Sequence, residues 1–246
     1  MKKYAVLSMD VEDWNHLDYF HSMDFSDNYS MLDGLNNFLE IVSDYNIKST
    51  LFTLNDVISE VKSDLLSAIN AGHEISSHGT SHKRPLTISK DEFIQDIEYS
   101  KKNIENILST EVIGYRAPCF SINNGLLEEL KNVHYQYDSS MINFSSHPLY
   151  GGVDPSGFKK LMDNVYQVNL FTEFELPTTE LLNRTIPIAG GGYLRIFPWQ
   201  VMKKLISDYL ENHQTYFLYI HPFELSNKKA LRVSEASLLK NFRFKY

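Results

Sequence analysis

The sequence predicts an α/β fold built from parallel βα units in one barrel-sized domain, and three observations support this. Short apolar segments alternate with segments of helical period through the first half of the chain. Polar, chemistry-bearing residues follow several of the apolar segments directly, where α/β proteins place their sites. The chain has 246 residues, enough for one large core without a second domain.

Tyr4–Met9 is a buried first strand, and it runs into Asp10-Val11-Glu12-Asp13 and Trp14. Residues 14–30 read as a loop rich in Asp, Ser and aromatics. Leu32, Leu35, Phe38, Leu39 and Val42 keep a helical period, and that helix should stop near Asn46. Ser49–Leu54 is a second strand. Val57, Val61, Leu65 and Ile69 mark a second helix, closed by Gly72 at C′. His73–Ser77 is the third strand, and Ser89-x-x-Glu92 has the capping-box form that opens a long helix carrying Phe93, Ile97, Ile104 and Leu108. Val112–Tyr115 leads into Arg116-Ala117-Pro118, Asn123 starts a short helix, and Tyr135–Tyr137 ends at Asp138.

From Ser139 to Leu194 this rhythm breaks, and 139–194 reads as an irregular insert forming a groove wall. Its Gly190-Gly191-Gly192 lacks the Gly-Lys-Ser/Thr ending of a phosphate loop, so a turn with positive φ is expected. Trp199–Tyr209 is a further helix, and Thr215–Ile220 is an apolar strand delivering His221-Pro222. The tail 226–246 carries six basic residues and one acid, a pattern that suits a docked terminal helix. No internal repeat is evident.

Hydrophobic content of 43% and charged content of 22% are those of an ordinary globular protein. With 23 basic and 31 acidic residues the formal charge is −8, which argues against nucleic acid as a partner. Cys119 is the one cysteine, so no internal disulfide forms, and a reducing compartment is expected. The N-terminal apolar run is interrupted at Ser8 and ends at Asp10, too short for a secretory h-region. No apolar stretch reaches the length of a membrane span. The expected location is the cytoplasm.

His78-x-x-x-His82 is the strongest chemical signal. Two imidazoles four residues apart share one side of a helical turn, close enough to grip one divalent cation. An exposed helical pair without metal has the same spacing, and a catalytic zinc site needs a third protein ligand from elsewhere. Asp10, Glu12 and Asp13 are poorly explained by packing so soon after an apolar strand, although each also suits a helix N-cap.

Ser-Met-Asp-Val-Glu-Asp-Trp, His78–His82, Gly-Tyr-Arg-Ala-Pro-Cys-Phe-Ser-Ile, Tyr-Asp-Ser-Ser, Gly-Gly-Gly-Tyr-Leu-Arg and His221 occur in this order along nearly the whole chain. In this the chain resembles the polysaccharide deacetylases (the NodB-homology fold, carbohydrate esterase family four), and most closely the branch associated with exopolysaccharide and surface-glycan gene clusters. The resemblance implies a distorted (β/α)7-type barrel, TIM-like, with its groove at the strands' C-terminal face. It makes Asp10 the general base, His78 and His82 ligands of one divalent ion (zinc, with cobalt or nickel also suited), Arg116 the partner of Asp10, and His221 the general acid. The family's third ligand is an aspartate just behind the base. Asp13 keeps that residue type and is the first choice; Glu12 is the alternative. The family's Asp-containing motif that orients the catalytic histidine is not recognisable, and Glu175 or Asp138 could supply that carboxylate. Trp14, Pro118, His147, Tyr150 and Tyr193 are the expected groove residues.

The resemblance thus implies a metal-dependent hydrolase that takes the N-acetyl group from an N-acetylated sugar or glycan intermediate. An O-acetyl esterase, or a hydrolase of another small amide, keeps the fold and changes the bond. A disabled, sugar-binding scaffold is the rival from another class.

Overall fold

The computed structural model describes residues 2–18, 20, 29–144 and 146–230. The first half follows the βα rhythm: β1 (Tyr4–Val11), α1 (Gly34–Asp44), β2 (Thr50–Thr53), α2 (Lys62–Asn70), β3 (Glu74–Ser77), α3 (Lys90–Leu108), β4 (Gly114–Tyr115), α4 (Asn124–Asn132) and β5 (Tyr137–Ile142). The second half contains β6 (Lys159–Met162), β7 (Val165–Val168), β8 (Phe171–Leu176), β9 (Thr178–Leu181), β10 (Arg184–Pro187), α5 (Gly191–Ile196), α6 (Trp199–Asn212), β11 (Thr215–Ile220) and α7 (Pro222–Leu225).

The helices form where apolar spacing and caps agree. In α3 the Ser89 side chain accepts from the Glu92 N–H while Glu92 accepts from the Ser89 N–H, and Phe93, Ile97, Ile104 and Leu108 are buried along one stripe. Gly72 takes φ +87° just past α2 and donates its N–H to Ile69 O, as a C′ residue does. A main apolar cluster joins Met9, Leu51 and Ile75 of the strands to Leu35, Leu65 and Phe93 of the helices.

One sheet runs in the order β11-β1-β2-β3-β4-β5-β8-β7-β6. The seven strands from β11 to β8 are parallel, while β7 and β6 are antiparallel and β9–β10 form a separate hairpin. These are the seven parallel strands of a distorted (β/α)7 barrel. Between β8 and β11 apolar packing replaces a hydrogen-bonded ladder: Leu176, Phe217 and Tyr219 share a cluster, and Gly190 bridges Tyr219.

Three expectations change. The 139–194 segment holds five complete strands and a helix, because its short antiparallel strands carry no helix between them and so escape a search for βα rhythm. The triple glycine does not turn at positive φ: Gly190 sits at −106°, and among the described residues only Gly72 and Gly79 are glycines with positive φ. Close approach explains two of its members, since a Cβ would fall 2.5 Å from the Tyr219 hydroxyl at Gly190 and 2.0 Å from Glu224 Oε2 at Gly191. Lastly, His78 and His82 are not on a helix; the chain between them is a loop with Gly79 at φ +83° and His82 at φ +56°. Residues 231–246 of the basic tail lie outside the described residues. No helix among the described residues is long and apolar enough to cross a membrane.

Candidate active site

Strand register brings the site together. Met9 pairs with Ile220, Val11 with Thr53, Thr53 with Ser77, and Ser77 with Tyr115. The residues immediately beyond these pairs include Glu12, His78, Arg116 and His221, so four strand ends deliver them to one mouth. The cavity there, of about 110 Å³, is lined by Asp10, Glu12, His78, His82 and His221, with Cys119, Phe120 and Tyr150 among its walls.

Glu12, His78 and His82 are all buried, and their potential ligand atoms lie within 4.8 Å of one another. His78 Nδ1 donates to the Arg116 carbonyl at 2.8 Å, which fixes the ring and leaves Nε2 with its lone pair. Burial pushes the His78 imidazole down to about 4, so it is neutral, the form that ligates metal. Glu12 Oε2 lies 3.0 Å from His82 Nε2, an ion-pair contact, and is without a hydrogen-bond donor among the described residues. Burial alone would raise the Glu12 carboxyl, but the imidazoles of His82, His221 and His78 outweigh it and bring it down to about 2. A buried, ionised carboxylate oxygen with no donor, facing two imidazoles, is a donor set that fits one divalent cation, zinc included.

Asp13 does not join this group. It caps the 3-10 turn at residues 14–16, its Oδ1 accepting from Trp14 N at 2.8 Å and Met31 N at 2.9 Å. Its shorter side chain is committed to the backbone, whereas Glu12 faces the imidazoles.

Arg116 is 1% exposed and fully engaged. Its Nη1 donates to Asp10 Oδ1 at 2.6 Å and to Ser8 Oγ at 3.0 Å, Nε donates to Ser139 O and Nη2 to Ser139 Oγ, and the guanidinium lies 4.0 Å over the Phe52 ring. Asp10 is thus paired with and aimed by a guanidinium that is itself fixed on every side.

His221 Nε2 lies 3.5 Å from Glu12 Oε1 on the other side of the cavity. Neither carboxylate expected to orient it does so. Asp138 is wholly buried with Glu173 and bonds Ser140; Glu175 accepts from the Tyr166 hydroxyl at 3.0 Å. The partner is Glu224, whose Oε2 accepts from the His221 backbone N–H at 2.9 Å and from Nδ1 at 3.3 Å. Burial would lower the His221 imidazole, but its bond and charge contact with Glu224, helped by Glu12 and Asp10, raise it to about 9. Glu224 was missed because the carboxylate was sought before the last strand. The signal was present: His221-Pro-Phe-Glu224 has an acid at N3 and Pro at N1 of a short helix.

His147, Tyr150 and Tyr193 line the cavity or its outer extension of about 610 Å³. His147 stacks on Tyr150 at 3.9 Å, and the Tyr150 and Tyr193 hydroxyls are 3.3 Å apart. Trp14 is no groove residue: it is buried with Phe20, Met31 and Phe223, its indole N–H bonded to Tyr29 O. Pro118 is buried at the start of the turn that carries Cys119 and Phe120.

Residues 22–137 match the family described as polysaccharide deacetylase. That match takes in 116 of the 246 residues, a little under half of the chain. Residues 139–246 match a domain of unknown function, DUF3473. A peptidoglycan deacetylase of Helicobacter pylori is 25% identical over 126 residues, 51% of this chain and 43% of the relative, so the match spans less than half of that protein. Among solved structures, a Mycobacterium smegmatis protein classed with the polysaccharide deacetylases superposes with a TM-score of 0.63 at 18% identity, covering 91% of this chain and 78% of its own. A CE4-family pseudoenzyme from Bacillus anthracis reaches 0.53 at 14% identity, covering 90% of this chain and 55% of its own. The structural likenesses show that this chain shares the fold of these solved proteins.

Proposed function

We propose that the protein is a divalent-cation-dependent hydrolase that removes the acetyl group from an N-acetylated sugar during surface-glycan biosynthesis. The observation that carries this reading is the Glu12–His78–His82 cluster lying between Asp10 and His221 in one cavity of a chain whose residues 22–137 match the polysaccharide deacetylase family.

Glu12, His78 and His82 are the proposed ligands, with Asp13 structural. A bound cation there would polarise the acetyl carbonyl and acidify water, offsetting the poor reactivity of both amide and water. Asp10, aimed by its 2.6 Å bond from Arg116, takes the proton of the attacking water. His221, protonated and anchored through Nδ1 to Glu224, presents Nε2 to the cavity and donates a proton to the departing nitrogen. An amine cannot leave as its anion, so an acid opposite the base is required. The products are an amino sugar and acetate. The outer extension, walled by Phe144, Tyr193 and Phe223, falls within the ordinary range of ligand pockets and would receive the rest of the glycan.

One observation favours a second reading, a sugar-binding scaffold: the Bacillus anthracis neighbour has this fold and is described as a pseudoenzyme. Acetate release from N-acetylglucosamine oligosaccharides by the zinc-loaded protein separates the two. Release that is lost together with zinc in His78→Ala supports the hydrolase, and a zinc-loaded protein that releases no acetate from N- or O-acetylated substrates supports the scaffold. Release from O-acetyl substrates alone would make it an esterase.

A further inference from the structure

Glu224 uses its two oxygens on two different partners. Oε2 faces His221, while Oε1 accepts from Arg195 Nε at 3.0 Å and forms an ion pair with Nη2 at 3.0 Å. The carboxylate side chain is 4% exposed and the guanidinium 27%, so the contact is shielded on the Glu224 side and open on the other. Gly191, one turn before Arg195 on α5, leaves Glu224 the space that a Cβ would occupy. Phe223 stacks on the His221 ring at 5.0 Å and borders the Arg195 guanidinium at 5.6 Å. The Glu224 and Phe223 contacts on the His221 ring therefore trace to α7 and, through Gly191 and Arg195, to α5, while Tyr219 of β11 packs edge-on at 5.6 Å.

We propose that Arg195 is a positioning residue for His221, acting through Glu224. This rests on the reading of His221 as the proton donor. A buried carboxylate with one oxygen on a planar fork cannot rotate without giving up the Nε hydrogen bond and the Nη2 ion pair, so its other oxygen keeps the imidazole aimed. Without Arg195, Glu224 is free to turn, and His221 loses its fixed Nδ1 anchor.

The test compares wild type, Arg195→Met, Arg195→Lys, Glu224→Gln and the Arg195→Met/Glu224→Gln double variant, at equal zinc content. Each is assayed on an N-acetylated oligosaccharide and on an activated aryl acetate whose leaving group needs no proton. Arg195→Met is expected to lower kcat on the amide about ten-fold or more, with KM unchanged and the aryl acetate altered by no more than about two-fold. Arg195→Lys should recover part of the loss, and the double variant should be no worse than Glu224→Gln, as expected of residues acting in series. A rise in KM alone, equal losses on both substrates, or losses that multiply in the double variant would overturn the proposal. A second readout needs no turnover: the Nδ1 proton resonance of His221 in ¹⁵N-histidine protein, identified by its disappearance in His221→Gln. It should shift or broaden in Arg195→Met while the other histidine signals stay, and an unmoved resonance would overturn the proposal. If wild type cleaves neither substrate, the hydrolase reading falls while the resonance still decides the role of Arg195.

Discussion

Glu224 holds His221 at two points, accepting from its backbone N–H at 2.9 Å and from ring Nδ1 at 3.3 Å. The N-cap of α7 and the residue at its third position thus fix each other. The helix cap and the anchoring of the His221 ring are one arrangement, so a change at Glu224 disturbs both.

The role of His221 predicts a leaving-group effect. His221→Ala should reduce cleavage of the N-acetyl amide by about 10²-fold or more, the usual worth of a positioned acid, and spare an activated aryl ester. Parallel kinetics on the two substrates check this. Equal losses would remove His221 from proton donation.

Asp10 and Arg116 predict a separation of binding from turnover. Asp10→Asn keeps a hydrogen-bond acceptor for Arg116 Nη1 and does not touch the Glu12–His78–His82 cluster. Zinc content and thermal midpoint should stay near wild type while kcat falls about 10²- to 10⁴-fold. Full activity would exclude Asp10 as the base.

The two acids that follow Asp10 should behave oppositely. Glu12→Ala is expected to abolish stoichiometric zinc. Asp13→Ala should retain it and lose about 1 kcal/mol or more of stability, the ordinary cost of removing an N-cap. Metal analysis and denaturant titration of the two variants check this, and the reverse pattern would restore Asp13 as ligand.

Asp138 and Glu173 predict a pH dependence of stability. Burial raises both carboxyls, and Glu173 Oε2 has no donor unless the pair shares a proton. The folded state therefore keeps a proton that the unfolded chain releases above its ordinary values of 3.8 and 4.5. The stability tied to that proton is complete below those values and is lost as pH rises through the folded-state titration, near 7 for Asp138. In Glu173→Gln the amide oxygen can still accept from Met141 N and Ser140 N, and its NH₂ can donate to Asp138. The variant should gain thermal stability relative to wild type between pH 5 and about pH 8, where one shared proton no longer has to be retained. Curves that stay parallel would contradict a shared proton.

Much of this was legible in the chain. Alternating apolar and helical periods marked the first four βα units, because in those units each element buries one continuous stripe or strand. His78, Arg116 and His221 were legible because each follows a strand end, and Asp10 because it is an acid in the last two residues of an apolar strand. The β6–β10 strands were not, since short antiparallel strands with mixed burial carry little periodic signal. The choice of Asp13 over Glu12 followed residue type. Reach decides otherwise: the carboxylate that caps a turn two residues from the strand is spent on backbone N–H groups, and the longer side chain before it extends to the imidazoles. The Glu224 contact was missed because a capping pattern was not weighed as a possible orienting contact.

The central claim is that Glu12, His78 and His82 share one cation. Anomalous diffraction at the zinc edge from crystals grown with zinc tests it most directly. One strong peak is expected within bonding distance of Glu12, His78 Nε2 and His82, with Asp10 and His221 on either side of it. A peak on Asp13 instead of Glu12, or no peak between the two imidazoles at saturating zinc, would contradict it.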